Sequence, residues 1–204
     1  EEANQPMIFD DILLVFNGEI YNYKELIHLE QFECKTKSDS EVLIRLYQKY
    51  GFNFLNKLNG MFAFCIYDIK KELYFCARDR YGKKPFFYYF KNNKFIFSSS
   101  LKSILNLLDS KPNLNKVALC KYMQYFVPFG EDTFYQDVFK LEASTYMIYE
   151  PNKPQELQKK KYYKINTYKA IKDEKQALND IEELLVKSVE YRLNSDVEVA
   201  SLLS

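Results

Sequence analysis

The sequence predicts an α+β domain, with helices beside a largely antiparallel sheet, followed by the opening of a second domain. Three observations carry this reading. A capped amphipathic helix follows Ser38, four strand-like runs succeed one another between Met61 and Ser98, and the composition changes after residue 150 before a second helix and a wholly apolar run. With 204 residues, 47% of them apolar and 17% aromatic, the chain can bury one core and begin another.

In chain order, residues 11–16 form an apolar run stopped by Asn17-Gly18, which suits a buried strand ending in a turn. Residues 23–30 suit a short helix. In SDSEVLIRLYQKYG, Ser38 and Glu41 form a capping box, Val42, Leu43, Leu46, Tyr47 and Tyr50 an apolar stripe, and Gly51 the stop. Residues 61–68, 72–78, 85–90 and 94–98 read as four strands joined by short polar turns, an antiparallel meander. Helices at 100–108 and 116–126 precede two strands at 138–141 and 144–149, so residues 1–150 are read as one domain. Residues 151–172, polar and rich in Lys and Gln with Pro151 and Pro154, are read as a linker with one short strand at 162–165. Asp173 and Gln176 then cap a helix whose stripe is Ala177, Ile181, Leu184, Leu185 and Val189. The closing VEVASLLS is apolar on both faces, as a buried parallel strand would be, so residues 173–204 are read as the start of a second domain.

Lys and Arg number 29 against 28 Asp and Glu, which gives no global attraction for nucleic acid or for an anionic membrane. No apolar run approaches the roughly 20 residues that span a bilayer, and EEANQPMIFDD lacks the basic end and apolar centre of a signal peptide, so a cytoplasmic location is expected. The four cysteines, Cys34, Cys65, Cys76 and Cys120, are widely spaced and His28 is the single histidine, which argues against a zinc site, and no metal ligands are assigned. Any nucleophile–histidine pair would have to use His28 itself, which sits in an ordinary amphipathic stretch. Cys65 and Cys76 lie in apolar surroundings that suit buried, inert thiols.

Three segments could carry chemistry. In FNGEIYNY, Asn17-Gly18 reads either as a tight turn or as an oxyanion hole, in which a carboxamide and a sterically open glycine N–H donate to one oxygen; Glu19 could then reach a substrate ammonium. In KSDSEVL, Asp39 stands in the first turn of a helix, where the dipole favours a carboxylate whatever its role; with Glu19 it could supply the acceptors that an α-ammonium needs. In ARDRYGKKPFFYYF, the bland reading is a hairpin with Gly82 in its turn.

Taken together and in order, NQPM, NGEIYNY, SDSEV, NGMFAFCIYD, RDRYGKKPFFYY and FSSSLKSIL resemble the glutaminase domain of glutamine-hydrolysing asparagine synthetases. TFYQDVFKLEASTYMIY and KKKYYKI resemble the stretch that leads out of that domain, and EVASLLS resembles the strand entering the family's pyrophosphate loop, with Ser204 its first serine. The resemblance implies an N-terminal-nucleophile (Ntn) hydrolase-type αββα sandwich, followed by the start of an α/β nucleotide-binding domain. It implies that Asn17 and Gly18 form the oxyanion hole, that Glu19 and Asp39 hold the ammonium of glutamine, and that Leu202 and Ser204 stand at the edge of an ATP site. The implied reaction hydrolyses glutamine and uses the ammonia, with ATP and Mg2+, to amidate aspartate; a relative acting on another carboxylate, such as a sugar acid, and a non-catalytic module of the same fold are the alternatives. A homodimer is left open. The family's nucleophilic N-terminal cysteine and its carboxylate-binding arginine match no residue here, so residues 1–204 alone are expected to be inactive; of the pyrophosphate loop only Ser204 is matched, so they are expected not to bind ATP.

Overall fold

A computed structural model describes residues 4–36, 38–127, 130–153, 156–165, 173–193 and 200. The described chain runs β1 (Met7–Phe9), β2 (Ile12–Ile20), α1 (Tyr23–Glu30), α2 (Asp39–Tyr50), a 3-10 segment (Gly51–Lys57), β3 (Gly60–Asp68), β4 (Leu73–Arg78), β5 (Phe87–Lys91), β6 (Lys94–Ser98), α3 (Leu101–Asn106), α4 (Lys116–Tyr125), β7 (Val138–Lys140), β8 (Thr145–Tyr149), β9 (Leu157–Lys161) and α5 (Glu174–Arg192). A six-stranded antiparallel sheet has the order β1-β2-β3-β4-β8-β9, and a three-stranded one the order β6-β5-β7.

Side-chain alternation divides the larger sheet between two cores. Leu14, Phe16 and Ile20 of β2, with Phe62, Phe64 and Ile66 of β3, face α1 and α2 in one cluster. Ala63 and Cys65 of β3, with Cys76 and Met147, face Phe86, Tyr88 and Leu141 in a second cluster between the sheets. Helix α3 packs on the outer side of β5 and β6. The order of layers is therefore helix, sheet, sheet, helix, as the resemblance implies.

Helix α2 is buried nearly all round, with Val42, Leu43, Ile44 and Leu46 all at 0% exposure, each such side chain contributing about 1.5–3 kcal/mol. Its cap departs from the expected reciprocal box. Ser38 Oγ accepts from the Ser40 N–H at 3.1 Å, but Glu41 turns instead to the N–H groups of Lys35 (3.0 Å) and Thr36 (2.7 Å) and to the Arg45 guanidinium. Burial works to raise the Glu41 pKa, and these donors outweigh it, so the carboxyl titrates below its usual range.

The largest departure concerns residues 61–98. They form two hairpins, β3-β4 and β5-β6, in different sheets rather than one meander. ARDRYGKKP is the crossover between sheets, not a hairpin turn, and two adjacent side chains hold it. Buried Arg78 donates to the carbonyls of Gly82, Lys84 and Leu141, each at 2.6 Å. Asp79, 1% exposed, accepts from the N–H groups of Tyr81, Lys83 and Lys84, each at 3.0 Å, and from Phe62 N–H at 3.3 Å. Gly82 has φ +64°, and a Cβ there would lie 3.1 Å from the Arg78 guanidinium carbon.

Composition also misplaces part of the supposed linker. Leu157–Lys161 pairs with β8 as an edge strand, while residues 162–165 are not a strand. LQKKK shows no apolar alternation because only Leu157 packs against the cluster between the sheets and the four residues after it are exposed, and its lysines suit an unpaired edge. Helix α5 begins where expected, with Asp173 accepting from the N–H groups of Lys175 (3.0 Å) and Gln176 (3.3 Å). The run at 197–203 lies outside the described residues.

One pH effect follows from the α1–α2 junction. Hydrogen bonds from Lys49, then Tyr50 and Lys57, lower the Glu30 carboxyl from 4.5 to about 2. A depressed carboxylate contributes stability above its unfolded value and loses it as pH falls through the folded one. The melting-temperature difference between the native chain and Glu30→Gln is therefore expected to be full at pH 6 and to shrink between pH 4.5 and about 2. A difference that stays constant across that window would contradict the linkage.

Candidate active site at the end of strand β2

Strand β2 does not stop at Asn17-Gly18. It runs on to Ile20, pairing Asn17 with Ala63, Gly18 with Phe62, Glu19 with Met61 and Ile20 with Gly60, so the tight-turn reading is wrong. The glycine is required by close approach: a Cβ on Gly18 would lie 2.2 Å from the Met61 carbonyl oxygen, and one on Gly60 would lie 2.3 Å from the Glu19 carbonyl oxygen. Both side chains that flank Gly18 in β2, Asn17 and Glu19, lie by strand alternation on the face turned toward the smaller sheet.

Asn17 lines an open cavity of about 280 Å³ between the sheets, whose other walls include Val15, Ala63, Cys65, Phe86 and Ser98. Gly18, Glu19 and Asp39 are not among its walls. Asp39 reaches the same strand end by another route. As the first residue of α2 it accepts from the Ile20 N–H through Oδ2 at 3.0 Å, which seats the helix start on the residue after Glu19. Among the expected residues, then, Asn17, Gly18 and Glu19 are consecutive in β2, Asp39 is hydrogen-bonded one residue beyond them, and Leu202 and Ser204 lie outside the described residues.

The electrostatics single out Asp39. Burial raises its carboxyl above the usual range, and the N–H donors of Ile20 and of its own helix turn only partly offset that. Glu41, two residues on, is lowered by its partners. A carboxylate held at an energetic disadvantage is a common mark of a ligand site, because a cationic partner relieves it. Asp39→Asn is expected to raise the melting temperature of the ligand-free chain at neutral pH, since the amide oxygen can still accept from Ile20 while the desolvated charge is gone. A lowered melting temperature would make Asp39 a structural anchor instead.

Sequence reasoning missed the end of α5. Arg192 lies over the Tyr21 ring at 5.0 Å and Tyr191 donates to Glu25 at 2.9 Å, which brings the C-terminus of α5 to the corner between β2 and α1. Nothing in the spacing of these residues signals that contact.

A glutamine amidotransferase domain model matches residues 1–163. The chain belongs to that family. Among relatives of this amidotransferase chain, a Methanocaldococcus jannaschii protein provisionally named asparagine synthetase [glutamine-hydrolyzing] 2 is 45% identical over 197 residues, covering 95% of this chain and 38% of the relative. Asparagine synthetase [glutamine-hydrolyzing] 1 of Bacillus subtilis is 34% identical over 212 residues, covering 100% of this chain and 33% of the relative. The amidotransferase chain thus spans between a third and two fifths of the length of these relatives. Among solved structures, the B. subtilis glutamine phosphoribosylpyrophosphate amidotransferase, complexed with ADP and GMP, is similar with a TM-score of 0.52 at 17% identity, over 79% of this chain and 32% of that one. At that identity the likeness supports the fold, the Ntn-type sandwich of two antiparallel sheets between helices. Among the described residues no helix is long and apolar enough to cross a membrane.

Proposed function

We propose that this chain is the glutamine-hydrolysing part of an asparagine synthetase: the full-length protein releases ammonia from glutamine here and joins it to aspartate at the expense of ATP. The observation that carries the reading is the seat of Asp39 on the Ile20 N–H, which places a destabilised carboxylate next to the Asn17-Gly18-Glu19 strand end. In this reading the Asn17 carboxamide and the Gly18 N–H donate to the oxygen that becomes negative when the glutamine carboxamide is attacked. Glu19 and Asp39 accept from the α-ammonium and so hold the substrate by its charged end. The N-terminal cysteine that serves as nucleophile in the family matches none of Cys34, Cys65, Cys76 and Cys120. Residues 173–204 open the ligase domain, where Leu202 and Ser204 border the nucleotide and Mg2+ accompanies it. A cytoplasmic location and an assembly of two copies fit this reading.

The test uses the full-length protein with glutamine, ATP and either aspartate or a uronic acid, following AMP release. AMP formed with aspartate alone supports the assignment, and AMP formed only with the sugar acid moves the protein to an amidotransferase of other specificity. Release of glutamate from glutamine without AMP in either case would limit the proposal to the glutaminase step. In the same protein, Asp39→Asn is expected to weaken glutamine binding by about 10- to 100-fold, the loss of one charge-assisted hydrogen bond. Unchanged affinity, measured by glutamine titration, would remove Asp39 from the site.

A further inference from the structure

Cys65 and Cys76 have no role in the chemistry proposed above, yet they face one another across the β3-β4 ladder. The Cys76 thiol donates to Cys65 Sγ at 3.3 Å. Directly opposed residues in an antiparallel pair have Cα atoms about 4.5 or 5.5 Å apart, and either separation lies within the span of a disulfide. The sulfurs need to approach by only about 1.2 Å to reach a bond length of about 2.05 Å. Both side chains belong to the cluster between the sheets, at 3% and 0% exposure. The two thiols are not equivalent: Cys65 lines the cavity that Asn17 also lines, whereas Cys76 lies behind it and off the wall. A small solute in that cavity meets the Cys65 sulfur first.

We propose that Cys65 and Cys76 form a modification site that hydrogen peroxide oxidises to an intrachain disulfide. In the first step Cys65, giving up its proton, attacks one peroxide oxygen; the O–O bond breaks, Cys65 becomes a sulfenic acid, and the departing hydroxide takes up the proton as water. In the second, Cys76 attacks the Cys65 sulfur, the S–O bond breaks, and the hydroxide leaves with the Cys76 proton as a second water. Two thiols are oxidised by two electrons in total and one peroxide is reduced to two waters. Burial holds the Cys76 thiol well above its ordinary range, which keeps its proton in place until that second step. The hydrogen-bonded contact supplies the proximity that a buried thiol otherwise lacks. Cys34, packed against the other core, and Cys120, exposed on α4, lie outside this cluster and do not compete for the bond.

The experiment treats the chain with hydrogen peroxide, blocks remaining thiols after denaturation and maps tryptic peptides without reduction. Lys70 and Lys71 separate the two cysteines, so peptides 58–70 and 72–78 stay joined only if the bond has formed. The expected result is that joined pair, lost on treatment with dithiothreitol. In a Cys34→Ser/Cys120→Ser chain the thiol count is expected to fall from two to none and return to two with dithiothreitol, with no covalent link between chains on a denaturing gel. Separate peptides carrying a blocked Cys76 and an over-oxidised Cys65, or bridges that join only different chains, would overturn the proposal. If the double variant fails to fold, the peptide map of the unaltered chain decides alone.

Discussion

In the full-length protein, Asn17→Ala is expected to lower glutamine hydrolysis by about 100-fold or more, the usual cost of removing one oxyanion donor. Asn17 stands on a cavity wall, and its pairing with Ala63 runs through the backbone, so truncating the side chain opens no new hole in a packed core. Synthesis from added ammonia bypasses the carboxamide and is expected to be largely retained. Parallel steady-state assays with glutamine and with ammonium chloride distinguish the cases. Equal loss of both activities would mean that Asn17 supports the fold rather than the transition state.

The largest effect on stability is expected from Asp79→Ala, about 3–5 kcal/mol, read from the midpoint of urea unfolding. The substitution leaves the N–H groups of Tyr81, Lys83 and Lys84 without the acceptor around which the crossover folds, and removes a second partner from β3 at Phe62. Arg78 would then sit buried beside a segment whose carbonyls it can no longer hold in place. A loss below about 1 kcal/mol would mean that solvent replaces the carboxylate and that the crossover is held from elsewhere.

Much of this fold was legible from local pattern. The bounds expected for α1 and β6 are the ones observed, and the Asp173 cap of α5 rests on a side chain two and three residues from the N–H groups it serves. What could not be read was long-range. That β4 and β5 belong to different sheets depends on hydrogen bonds that Asp79 and Arg78 make to Phe62 and Leu141, 17 and 63 residues away. Glu41 left the expected capping box for a local reason, since the loop at Lys35 and Thr36, six and five residues before it, folds back over it and supplies competing donors. At the candidate site, residue types suggested the chemistry, but the Asn-Gly pair misled because a dipeptide that favours turns also fits a strand whose partner comes unusually near. The seat of Asp39 on Ile20 required the packing of α2 to be known.

That near approach bears on how variation in this family would be interpreted. Gly18 and Gly60 stand on neighbouring strands, and each is denied a side chain by the backbone of the other's strand. Neither could drift to alanine alone, and changing both together would add a second clash rather than relieve the first. A deep mutational scan selected only for soluble, folded protein should therefore find both positions intolerant, with catalysis never measured. Invariance at Gly18 would accordingly be no witness for an oxyanion role, whereas invariance at Asn17, whose side chain meets open space, would be.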